Sequence, residues 1–190
     1  LATVIEPANL FYKNLERLKG LNPHIKIQLL NYKIEDINTL HHFSKSQDLV
    51  VISSLLHEVQ NSNRILESAI KLGDNKTKYI FTVPNAYSLH RQLAERLGMI
   101  DSIYQLSKQQ DLLQQTKVYC MESLNKELQD NGFIVEEIKT IILKPFTHAQ
   151  MQKLLDQNIL TKEQIYVFSQ MSDIVPNSGS EILALATLNL

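Results

Sequence analysis

Short apolar runs alternate with amphipathic stretches along the whole chain, and few folds accept that alternation. "LATVIE" opens as a buried strand. "ANLFYKNLERLKG" follows with a helical stripe at Leu10, Phe11, Leu15 and Leu18, and Gly20 suits its end. "IKIQLL" reads as a strand and "IEDINTLHHF" as a loop or short helix. "DLVVISSLL" is continuously apolar, as a central parallel strand is. "NSNRILESAIKLG", "KYIFTVP" and "YSLHRQLAERLG" continue as helix, strand and helix, with Gly73 and Gly98 at the helix ends. The Gln-rich segment 101–120 is expected to form a helix and a loop over the strand ends. "MESLNKELQDNG" is a helix closed by Gly132, and "FIVEEIKTIILK" a long strand. A mostly helical insert from Pro145 to Ser180 precedes the last strand, "EILALATL". These six strands predict a single α/β domain over 1–190, with helices on both faces of a mostly parallel sheet. The last two strands form an antiparallel hairpin at its edge. Segments 101–120 and 145–180 are placed to act as lids.

Composition narrows the chemistry. Nineteen Lys and Arg balance 20 Asp and Glu, giving a net charge of -1. That argues against nucleic acid as an electrostatic partner. Cys120 is the only cysteine, so no intramolecular disulfide forms and no Cys-based zinc site can be built. A reducing cytoplasm fits. No apolar run approaches the ~18 residues of a membrane span, and no membrane partner is expected. Leu1 lies inside an apolar run, so the chain is expected to begin inside a domain.

In open α/β sheets ligands bind at the carboxyl ends of strands, and several chemistry-bearing residues fall there. Glu6 ends the first strand, before Pro7. A carboxylate at that place can accept from both hydroxyls of a nucleotide ribose. It can equally serve as an acid favoured at a helix start, and the local pattern does not separate the two. Ile34, Glu35 and Asp36 follow the second strand, where an adenine edge would lie. Asp36 reads better as a capping or solvated acid. Ser53, Ser54 and His57 end the third strand, and a neutral His57 suits a general base, with a reference pKa near ~6.5. Glu58 reads as a helix-start residue. The corner "VPNAYSLHR" carries Asn85, Tyr87, Ser88, His90 and Arg91. Asn85 and Ser88 are candidate caps for the next helix, and His90 and Arg91 face either a substrate or solvent.

Other constellations are missing. His41, His42 and His148 have no spaced carboxylates to make a metal site, and no metal is expected. There is no G-x-S-x-G elbow and no Walker loop. The five glycines, Gly20, Gly73, Gly98, Gly132 and Gly179, include no G-x-G.

"DLVVISSLLHEVQN" followed by "KYIFTVPNAYSLHRQLAERLGMI" resembles class I S-adenosylmethionine-dependent methyltransferases of the small-molecule type. "MESLNKELQDNGFIVEEIKTIILKPFTHAQM" continues the similarity, which covers most of the chain. The resemblance implies a Rossmann-like, doubly wound fold with S-adenosylmethionine as cofactor. It makes the first strand here the family's second. Glu6 with Pro7 then becomes the ribose site, Ile34 and Glu35 the adenine contact, and Ser53 and Ser54 the border of the cofactor's methionine part. His57 and His90 become the candidate bases, and Asn85, Tyr87 and Arg91 the acceptor side. The family's central first strand and its E/D-x-G-x-G-x-G loop have no counterpart in this sequence, so the chain on its own is expected to bind cofactor poorly.

The leading expectation is methyl transfer to a small molecule. A second is a non-catalytic methyltransferase-like module for protein association, as a homodimer for instance, driven by exposed strand edges. A nicotinamide-dependent oxidoreductase would suit Glu6 equally, but the other segments do not suggest it.

Overall fold

A computed structural model describes residues 1–39, 43, 47–106, 115 and 117–189. His41, His42 and, within the Gln-rich segment, residues 107–114 and 116 lie outside the described residues.

The chain begins β1 (Ala2–Ile5), α1 (Asn9–Leu21), β2 (Ile27–Leu30), followed by a 3-10 turn over Ile34–Thr39. Next come β3 (Leu49–Ser53), α2 (Ser62–Ile70), β4 (Lys78–Pro84) and α3 (Leu89–Arg96). It closes with α4 (Met121–Asp130), β5 (Phe133–Ile141), α5 (His148–Asp156), α6 (Lys162–Gln170), a 3-10 turn over Met171–Asp173 and β6 (Glu181–Leu188).

The strands form two sheets. β1 pairs with β2 in parallel, Ala2 opposite Ile27 and Ile5 opposite Leu30. The other four lie in the order β3-β4-β6-β5. β3 and β4 are parallel, and β6 runs against both β4 and β5. Three of these four strands therefore share one direction, and the expected closing hairpin sits at the edge with β5 outermost. β5 is shorter than its apolar run suggested, and its register slips between Val135 and Glu137.

β1 and β3 are not paired with each other, and each has one bonded neighbour. β3 therefore stands at a sheet edge, although its sequence reads as a central strand. Val50 and Ile52 are buried while Leu49 and Val51 are exposed. α1 carries the apolar stripe read from the sequence but buries none of its residues. It also runs past Gly20, to Leu21.

One hydrophobic core joins the two sheets. Leu30 of β2 packs in the same cluster as Val50, Ile52, Leu66, Phe81, Leu124, Phe133 and Ile182. Phe81 and Phe133 meet edge to face, with ring centroids 5.2 Å apart. Fully burying a side chain of this size contributes about 1.5–3 kcal/mol.

Candidate functional site

β3 ends in a strained residue. Ser54 has φ 51, in the left-handed region that non-glycine residues rarely occupy. Its amide donates to the carbonyl of Thr82 at 2.8 Å and to the Thr82 hydroxyl at 3.2 Å. The hydroxyls of Ser53 and Thr82 lie 2.9 Å apart. β4 thus holds the β3 end in a turn that its own sequence would not favour. Both serines are exposed.

Three residues on, His57 is 3 % exposed, and its Nδ1 has no hydrogen-bond partner. Burial pushes its pKa down. The Glu58 carboxylate, 3.7 Å from Nε2, opposes that shift without cancelling it. His57 is therefore a neutral imidazole with an unused buried nitrogen.

β4 ends in the Pro84–Ser88 corner, where Asn85 acts as a pin. Its Nδ2 donates to the carbonyls of Asn177 (2.9 Å) and Gly179 (2.8 Å), and its Oδ1 accepts from the Tyr87 amide at 3.0 Å. Ser88 is the residue before α3, but its buried hydroxyl makes no capping bond, contrary to the sequence expectation. The Arg91 guanidinium donates to the carbonyls of Ile103 and Gln105, clamping the 101–106 turn. Tyr87 stacks edge to face with Tyr104 at 6.0 Å and accepts from its hydroxyl at 3.3 Å. A cavity of about 110 Å³ opens beside this corner, lined by Asn85, Tyr87, Met121, Glu122 and Asn177.

Segment 117–120 backs the corner through a bridge between Asn85 and Tyr119. Lys117, Tyr119 and Ser62 all bond the Glu127 carboxylate, tying that segment to α2 and α4.

His90 Nδ1 is also buried without a partner. Burial pulls its pKa down to about 4, and the Lys144 and Arg91 charges add to the effect. Glu181 was missed in the sequence because it reads as an ordinary strand start. In the fold it lies opposite Pro84 and Ile141, with a buried, unpartnered Oε2. Burial raises its pKa and Lys144 opposes the rise. Only the pairing of β6 between β4 and β5 brings it here, and no local signal marks it.

Glu6 Oε1 accepts from the Ala8 amide at 2.8 Å, just ahead of α1. One carboxylate oxygen thus fulfils the helix-start reading. Asn31 fixes the backbone there by donating to the carbonyls of Glu6 and Pro7. Ile34 packs against the core and Glu35 begins the 3-10 turn. The structure thus brings Ser53, Ser54, His57, Asn85, Tyr87, His90 and Arg91 to the carboxyl ends of β3 and β4. Glu6, Pro7, Ile34 and Glu35 stand at the ends of the separate β1–β2 pair. Among the described residues no group of three or more His, Cys, Asp or Glu is placed to hold a metal, and no helix is long and apolar enough to cross a membrane.

No family model and no curated protein matches the sequence. Solved structures do. An S-adenosylmethionine-dependent methyltransferase from Mesorhizobium loti superposes with a TM-score of 0.59 at 15% identity, over 97% of this chain and 79% of that one. A possible histamine N-methyltransferase from Thermotoga maritima gives 0.58 at 14%, over 98% and 72%. The plantazolicin methyltransferase BamL, bound to S-adenosylhomocysteine, gives 0.55 at 14%, over 99% and 68%. The chain has the fold of S-adenosylmethionine-dependent methyltransferases. The carboxyl ends of β1 and β3 carry Glu6 and Ser53–Ser54.

Proposed function

We propose that this chain serves S-adenosylmethionine-dependent methyl transfer to a small-molecule acceptor, supplying the acceptor side and part of the cofactor site. The observation that carries the reading is the strained Ser54 turn. It lies at the carboxyl end of β3, the kind of place where open α/β sheets bind ligands, and the unpartnered His57 nitrogen follows it within three residues. Backbone strain of this kind persists only where the surrounding structure over-determines it, and it clusters at active sites and ligand clamps.

The residues fit the cofactor in part. Glu6 would hold the ribose through its second carboxylate oxygen, Ile34 and Glu35 would meet the adenine, and Ser53 and Ser54 the methionine part. No glycine stands at the end of β1 or β3 to cradle that part closely. One further strand pairing with the open edges of both β1 and β3 would merge the two sheets, and its following loop would complete the cradle. When bound, the cofactor supplies an electrophilic methyl group on a sulfonium. The protein's share is then alignment of the accepting atom and removal of its proton. His57 and His90, both held neutral by burial, are the groups able to take that proton. Asn85 acts on the acceptor side by fixing the corner, while the Tyr87 ring, 42% exposed, presents a surface to it.

Calorimetric titration of the chain with S-adenosylmethionine tests the reading. Weak saturable heat is expected, falling in Ser54→Val and unchanged in Lys162→Ala on the remote α6. Heat indifferent to Ser54 would overturn the assignment of the β3 end.

A further inference from the structure

The cavity beside the Pro84–Ser88 corner has a chemistry of its own. Glu122 is exposed in the first turn of α4, and its own backbone amide and Cys120 hold its carboxyl below the usual range. It is therefore ionised throughout the physiological range. The Tyr87 ring is fixed edge to face against Tyr104, and the Met121 thioether lies in the same lining. No Lys, Arg or His is among the five lining residues. Asn85, the one buried amide in the wall, has both its oxygen and its nitrogen committed to backbone groups. The other lining residues bring a carboxylate, an electron-rich ring, a polarisable sulfur and the exposed Asn177. An anionic group would be repelled there, and a neutral polar group would find few partners. A cation gains from the carboxylate charge and from the negative face of the ring.

We propose that this cavity is a cation subsite that selects acceptors bearing an alkylammonium group. As a statement about acceptors it rests on the methyl-transfer reading, whereas the cation site itself does not. Glu122 supplies the charge and Tyr87 the ring. Tyr104 is a positioning residue that acts only through Tyr87.

The test uses choline and its neutral isostere, in which a quaternary carbon replaces the nitrogen. Both are titrated into the full chain by NMR, with the Tyr87 ring and Met121 methyl signals as readout. Choline is expected to shift both signals saturably, and the isostere to shift neither. Glu122→Gln and Tyr87→Leu should each weaken choline roughly tenfold, with circular dichroism confirming that they are folded. Equal binding of the isostere, or a Glu122→Gln protein that binds choline as well as the parent, would overturn the proposal. Cofactor titration of the same samples separates the two readings. Cofactor binding without choline binding refutes the cation subsite alone, and choline binding without cofactor binding refutes methyl transfer alone.

Discussion

His90 and Glu181 are half-buried titratable groups whose shifts oppose each other as pH changes. His90 has a folded pKa of about 4 against an unfolded value of ~6.5. Between those values the unfolded chain takes up a proton that the folded chain refuses. Stability present above pH ~6.5 is therefore lost as pH falls towards 4. The loss is on the order of 2 kcal/mol once partial solvent screening is allowed for. Glu181 acts in the opposite sense, because its raised pKa makes ionisation costly as pH climbs above the usual carboxylate range. His57 adds to the acid sensitivity. His90→Asn is thus expected to flatten the fall in melting temperature between pH 7 and 4, and an unchanged slope would sink the assignment. Single residues were the hardest level to read from the sequence. His57 and His90 were visible as candidates because a histidine near a strand end is conspicuous. The loss of Asn85's amide to Asn177 and Gly179, more than 90 residues on, left no local trace, nor did the burial of Glu181.

Elements were easier to read, because their periodicity is local. β3, β4, α4 and β6 fall close to where their apolar patterns predict, and Gly98 and Gly132 take the positive φ expected at helix ends. Expectations failed where long-range packing decides. α1 continues through Gly20 to Leu21, and a Cβ at Gly20 would meet nothing within 4 Å. Gly20→Ala should therefore stabilise the protein by about 0.5–1 kcal/mol, the usual helix preference for alanine. Gly179 is the opposite case, since a Cβ there would lie 2.6 Å from the Ile141 carbonyl oxygen and 2.7 Å from its amide nitrogen. Gly179→Ala should destabilise by roughly 1–3 kcal/mol. Denaturant midpoints of the two variants are expected to move in opposite directions, and movement in the same direction would contradict both arguments.

At the scale of the whole molecule, stability is unevenly spread. The four-stranded sheet holds the aromatic cluster, whereas the β1–β2 pair has one partner each way and is backed by a helix that buries nothing. Leu10 and Phe11 of α1 are 72% and 60% exposed. Amides of β1 and β2 should exchange with solvent well before those of β4 and β6, because regions with few buried contacts open at lower free energy. Equal protection would show that the two sheets unfold as one unit. The fold class was legible in the alternation of elements, but the split into two sheets was not, because pairing partners are not written in any one strand. A last consequence follows from the way α5 and α6 are attached. The chain leaves β5 at Ile142, which has φ 61, and re-enters at Ser180, whose amide and hydroxyl both donate to the Ile142 carbonyl at 3.0 and 2.8 Å. Departure and return are therefore adjacent, and the strand pairing on either side is complete without the excursion. The helical segment is a cassette in a fixed socket. Exchanging its helices for another sequence is expected to leave the sheet register unchanged, provided that the 177–179 stretch stays in place to accept from Asn85 and Leu89.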